Sequence, residues 1–171
     1  MYQALSKFSS TYFPKQKHRL FKLFFNLSPM YRRTTGRVTK VDPDFSSVEI
    51  RIPISYKNKN YVGTIFGGSL FAATDPIYMV QLIQILGKDY VVWDKSSTVK
   101  IKRPANSDAY AVFAFSDDEI RQLKADISEK KEVDLVKPVL LTSKEGKLFC
   151  EIEKLIYVAD KEYYKEKKRG K

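Results

Sequence analysis

The chain has 171 residues, 43% of them hydrophobic and 13% aromatic, which is enough for one domain with a substantial core and excludes a disordered chain. A single cysteine and a single histidine exclude a disulfide framework and a multi-histidine or multi-cysteine metal site. The formal charge is +11, but nine basic side chains and no acid lie in residues 1–41, six basic against three acidic in residues 160–171, and the stretch between is nearly neutral. That split argues against a nucleic-acid-binding core.

Residues 12–33 read as a basic amphipathic helix, with Leu20, Phe21, Leu23, Phe24 and Leu27 on one broad face and Lys15, Arg19 and Lys22 opposite. Pro29 and Gly36 mark a break after it. Arg37–Val41 and Val48–Ile54 read as strands around the turn Asp42-Pro43-Asp44, because Val48, Ile50, Ile52 and Ile54 alternate. A polar loop from Tyr56 to Asn60 leads into an apolar run from Ile65 to Leu86, the predicted central helix, which Gly87 ends. Within that run Pro76 removes a backbone donor and disfavours helical geometry at Asp75, so the helix is expected to kink or restart there. Glycines, Pro76, Gln81 and Gln84 interrupt the run and argue for a buried core helix over a membrane span.

Tyr90–Arg103 and Ala109–Phe115 follow as strands. Ser116 with Glu119 three residues on forms a capping-box signature for a helix to about Lys130. Val133–Thr142 and Lys147–Val158 close as a hairpin around Lys144-Glu145-Gly146. Hairpin-length links around one apolar helix predict an α+β architecture, an antiparallel sheet wrapped on that helix. No secretory signal is evident, so a cytoplasmic location is expected, and no phosphate-binding loop or other cofactor motif occurs.

One constellation carries chemistry. Gly67 and Gly68 open the central helix, where unencumbered amides at the positive end of the dipole suit a carbonyl or an oxyanion. Asp75 lies two turns further and is the only charged residue between Asn60 and Gly87, so burial is expected to act on its ionisation. Structural readings stand beside these. Asp75 with Pro76 after it can cap a second helical segment, Gly67-Gly68 can serve close helix–sheet packing, and Asn60 can be a turn residue. Cys150 is expected in the core and His18 on the surface.

The run from Asn60 through Phe66-Gly67-Gly68 to Asp75 resembles hot-dog fold acyl-CoA thioesterases of the phenylacetate-thioesterase type. Their pattern is an asparagine, a His-Gly-Gly opening the central helix, and an acid near its middle. Ser97–Ala105 is similar to the strand and Pro-Ala turn that follow the helix there. From Gly63 through Asp94-Lys95 to Pro104 the chain looks still more like an uncharacterised branch of that superfamily, a domain of unknown function. The resemblance implies a hot-dog fold of six antiparallel strands around one helix, a homodimer or a tetramer, and an acyl-CoA or acyl-carrier-protein thioester as partner. It implies Asp75 as base or nucleophile, the Gly67 amide as oxyanion donor, Asn60 as positioning residue, and Gly68, Phe66 and Asp94 as substrate contacts, with no metal or cofactor. Phe66 stands where the motif histidine would be. On this basis residues 1–35 are an N-terminal helical extension, 36–158 the hot-dog domain, and 159–171 a basic tail expected to be disordered. A non-catalytic acyl or lipid binder, with the N-terminal helix touching a membrane surface, is the alternative.

Overall fold

The computed structural model describes residues 16–170, so the start of the predicted N-terminal helix, residues 12–15, lies outside the described residues. Its elements in chain order are α1 (Lys17–Leu27), α2 (Pro29–Arg33), β1 (Arg37–Val41), β2 (Ser47–Ile52), α3 (Gly67–Thr74), α4 (Ile77–Leu86), β3 (Tyr90–Ile101), β4 (Ala109–Ala114), α5 (Asp117–Lys130), β5 (Glu132–Thr142), β6 (Leu148–Asp160) and α6 (Lys161–Arg169). Six strands form one sheet in the order β1-β2-β4-β5-β6-β3, and neighbouring strands pair antiparallel.

Period-two alternation decides which face meets the helices. Val48, Ile50 and Ile52 on β2, Ala109, Ala111 and Phe113 on β4, and Cys150, Ile152, Ile156 and Val158 on β6 are buried. Against them lie Leu70 and Ala73 of α3 and Ile77, Tyr78, Leu82 and Leu86 of α4. Gln81 is buried among these and donates its amide to the carbonyls of Phe45 and Phe113, 2.7 and 3.2 Å away. This ties α4 to the β1–β2 turn and to β4. The α3–α4 segment, Gly67–Leu86, has the length and composition to cross a membrane, but half of it is buried inside the molecule. It is the core of the sheet.

The predicted interruption of the central helix is present: α3 ends at Thr74, Asp75 and Pro76 intervene, and α4 begins at Ile77. The capping box also forms, Ser116 Oγ accepting from the Glu119 amide at 3.1 Å and Glu119 Oε2 from the Ser116 amide at 2.8 Å.

Three expectations are corrected. The N-terminal segment is two helices broken at Ser28, and its buried side chains are Phe25 and Tyr31. Leu23 and Leu27 point outward instead. Phe21 stacks on Phe25 and meets Phe45 edge-on, both at 5.2 Å, which fixes the rotation of α1 in favour of its larger aromatic rings. Nor is the segment detached from the sheet, because the Asn26 side chain bonds both the amide and the carbonyl of Val38, at 2.8 and 2.9 Å. Finally, the tail is helical over Lys161–Arg169. Asp160 accepts from the amides of Glu162 and Tyr163, and Lys167 reaches Glu132 at 2.6 Å. Local capping and a cross-contact to β5 outweigh the repulsion within the basic run.

Candidate active site

A lysine sits where β6 should carry an apolar residue. Lys154 shares the inward register of Cys150, Ile152, Ile156 and Val158 and is 0% exposed. A buried ammonium needs opposite charge and hydrogen bonds around it. Asp75 supplies one partner from the end of α3, its Oδ1 accepting from Lys154 Nζ at 2.7 Å. Asp94 supplies a second from β3, its Oδ2 lying 3.4 Å from the same nitrogen. The face of the Phe71 ring, 5.4 Å from Nζ, covers another side. A register shift in the β3–β6 ladder between Asp94 and Ser96 places Asp94 opposite Ile156 and Ser97 opposite Lys154. The extra residue, Lys95, re-aims the strand and turns Asp94 towards the ammonium.

The two carboxylates differ in surroundings. The Asp75 side chain is 47% exposed, so the expectation of a buried carboxylate fails for it. Its capping role also fails, since α4 starts from Pro76 with no side-chain cap: the carboxylate turns to Lys154 instead. Asp94 is the enclosed acid, its side chain 18% exposed. Its Oδ1 is buried with no hydrogen-bond partner among the described residues. Burial holds the Asp94 carboxyl above the usual carboxylate range; Lys154 opposes that rise and the negative charge of Asp75 adds to it.

Gly67 and Gly68 begin α3, whose N-cap Phe66 offers no side-chain acceptor. The Phe66 ring is largely exposed and lies directly over Gly68, leaving no room there for a Cβ. Ile101 approaches Gly67, its Cδ1 3.7 Å from where a Cβ would stand. With Val99, Ile101 and Phe66 leave apolar surface open beside the helix start. Asn60 closes a turn: its Oδ1 accepts from the amides of Val62 and Thr64 and its Nδ2 donates to Thr64 Oγ1. Buried Asn58 anchors the approach to α3, since its carbonyl accepts from the Phe66 amide at 2.8 Å.

The structure therefore gathers Asp75 and Asp94 around Lys154 and leaves Gly67, Gly68, Phe66 and Asn60 at the far end of α3. Eight residues separate Gly67 from Asp75, about 12 Å along a helix. Cys150 is a core residue, its thiol pushed up to about 11, by burial first and by Glu151 second. Among the described residues no cluster of three or more potential metal ligands occurs. Lys154 was not singled out from the sequence, although a lysine at an inward step of Cys150-x-Ile152-x-Lys154-x-Ile156-x-Val158 is a visible signal.

The model of a family described as a domain of unknown function, DUF4442, matches residues 17–158. The chain belongs to that family. The DUF4442 match begins at α1, so the N-terminal helices lie inside it. No curated protein sequence matches the chain. Among solved structures, a Pseudomonas aeruginosa protein of unknown function, named a "Probable Thioesterase", is similar with a TM-score of 0.71 at 20% identity, covering 88% of this chain and 95% of that one. A protein of unknown function from Chlorobaculum tepidum has a TM-score of 0.68 at 18% identity, over 86% of this chain and 96% of that one. The thioesterase HI1161 of Haemophilus influenzae has a TM-score of 0.60 at 13% identity, over 84% and 90%. At these identities the likeness is one of fold: this DUF4442 chain has a hot-dog fold.

Proposed function

We propose that this DUF4442 protein hydrolyses an acyl thioester carried by coenzyme A or an acyl carrier protein, with Asp75 as the general base. The observation that carries the reading is the Asp75 carboxylate, fixed at 2.7 Å on a fully buried ammonium yet itself half-open to solvent. Lys154 holds Oδ1 at 2.7 Å, and Oδ2 takes a proton from water. The hydroxide so formed adds to the thioester carbon. The carbonyl oxygen becomes an oxyanion and accepts from the Gly67 amide at the positive end of α3. Collapse of the intermediate breaks the carbon–sulfur bond, the proton held by Asp75 passes to the leaving thiolate, and a carboxylic acid and a thiol result.

A carbonyl on the Gly67 amide cannot also touch Asp75 of the same helix, about 12 Å away. The reaction centre then needs Asp75 from one copy and Gly67 from another, a homodimer. β3 supports this: it is one of the sheet's two edge strands, twelve residues long, with Trp93, Val99 and Ile101 exposed. A long open edge of that kind invites pairing with a second copy.

The test is thiol release from a panel of short-, medium- and long-chain acyl-CoAs and acyl carrier proteins by the purified chain. Asp75→Asn should lower kcat by about a hundredfold or more, in line with loss of a general base. Turnover unchanged in Asp75→Asn would rule the assignment out. One observation favours a second reading, a non-catalytic acyl binder: Phe66 lies over Gly68 in the place of the motif histidine. Saturable binding of acyl-CoA without thiol release would select it.

A further inference from the structure

Four cations without a carboxylate partner among the described residues gather at one place. Most cations of the sheet and of α5 and α6 have carboxylate partners, as in Arg51–Asp108, Lys95–Asp134, Lys137–Glu119 and Lys167–Glu132. Arg32 and Arg33 of α2, Arg37 of β1 and Lys57 of the β2–α3 loop have none among the described residues, and residues 1–41 contain no acid that could serve. All four line a single surface pocket of about 360 Å³. Its floor is rigid. Thr35 stands at φ +67°, held by a 2.8 Å bond from buried Asn58 to its hydroxyl, and Ser55 bonds the same asparagine. Guanidinium groups around a pocket of this size match a phosphate in charge and in fork geometry.

The helices that lead into this cluster expose apolar side chains where a solvated charge cluster would carry polar ones. Leu23, Leu27 and Met30 on α1 and α2 are each more than half exposed. Arg19, Leu23 and Leu27 recur every four residues, so they form one outward stripe on α1. Tyr56, next to Lys57 in the chain, is almost fully exposed, with Lys57 Nζ 5.7 Å from its ring. Aliphatic side chains and a tyrosine beside unpaired cations are the composition of a surface that enters the boundary of headgroups and acyl chains.

We propose that this face docks on an anionic phospholipid surface, with a lipid phosphate in the Arg32–Arg33–Arg37–Lys57 pocket and Leu23, Leu27 and Met30 in the outer acyl region. Charge excludes a second copy as the occupant, because a two-fold contact here would set the same four cations against themselves. The site lies at the β1 side of the sheet, away from the free β3 edge, so docking and β3 pairing are compatible. The proposal does not depend on thioester hydrolysis.

The test is co-sedimentation of the full chain with phosphatidylcholine vesicles, with and without phosphatidic acid. Three double variants are compared, all at exposed positions and each checked by thermal melting: Arg32→Glu/Arg33→Glu, Leu23→Asp/Leu27→Asp, and Lys165→Glu/Lys168→Glu on α6 as a charge-matched control. The wild type should bind only the anionic vesicles and release them in high salt. The arginine variant should lose about tenfold or more in partitioning, and the leucine variant should also bind more weakly. The control should bind like the wild type. No binding to anionic vesicles overturns the proposal, as does equal loss in the control or no loss in the arginine or leucine variant. Full competition by glycerol phosphate would reassign the pocket to a soluble phosphate ester. Duplex DNA bound with the same arginine dependence and no leucine dependence would reassign the face to nucleic acid.

Discussion

Lys154→Met tests whether one buried ammonium organises both carboxylates. Methionine keeps much of the lysine stem's volume and apolar packing, so the perturbation is mainly one of charge. Breaking a buried pair from one side typically costs about 3–5 kcal/mol, because the remaining charge is left without a partner. Here the remaining charges have outlets: Asp75 is 47% exposed and rehydrates, while Asp94 already tends towards its neutral form. The loss should therefore fall to about 2–3 kcal/mol. In a chain of this length that is a fall in Tm of roughly 5–10 °C. Urea unfolding followed by the single tryptophan, Trp93 on β3, together with calorimetry, measures it. Adding Asp75→Asn and Asp94→Asn to Lys154→Met should recover more than half of the loss, because no unpaired charge is then left inside. A Lys154→Met protein within about 0.5 kcal/mol of the wild type, or a triple variant no better than the single, would refute the reasoning.

Asp94 predicts a pH dependence. Its folded pKa lies above the unfolded value, so the folded state keeps a proton that the unfolded state gives up. Its contribution to stability is then present on the acid side and is lost as pH rises from the ordinary carboxylate range through its folded titration. Tm against pH should show that loss in the wild type and not in Asp94→Asn. Gly36→Ala should cost about 1–3 kcal/mol by overpacking, since a Cβ there would stand 2.9 Å from both Ala73 Cβ and Tyr31 Oη; denaturant midpoints read it, and a neutral result would mean that α3 moves freely. Ser116→Ala should cost about 1 kcal/mol through loss of the capping box on α5, again read by urea unfolding.

Local rules made much of this fold legible. The Asp75-Pro76 break, the Ser116–Glu119 box and the alternation on β2 and β6 are each decided within a few residues, and the structure follows them. What escaped depends on contacts far apart in the chain. Hydrophobic periodicity alone put Leu23 and Leu27 on one face with Phe21 and Phe24, whereas the buried side chains are Phe25 and Tyr31, which pack together at 4.5 Å. The tail's helix depends on Glu132, 35 residues earlier, meeting Lys167. At the candidate site Asp75 and Asp94 could be read from the sequence as isolated acids, but not their meeting: the Lys154–Asp75 bond spans 79 positions. The separation of Gly67 from Asp75 could be counted directly, and the proposed second copy rests on that count.

The Tyr31 hydroxyl donates to the Ala73 carbonyl at 3.2 Å, inside the last turn of α3, and burial raises its pKa so that the proton stays in place. Gly36 leaves room for the same contact. The turn so held is the one that delivers Asp75 to Lys154. The segment before β1, by position a removable appendage, is thus a brace on the carboxylate. A fragment cut at the first strand would keep every strand of the sheet and lose the anchor that aims its acid, so the smallest unit that can carry the Asp75–Lys154–Asp94 arrangement begins upstream of Tyr31.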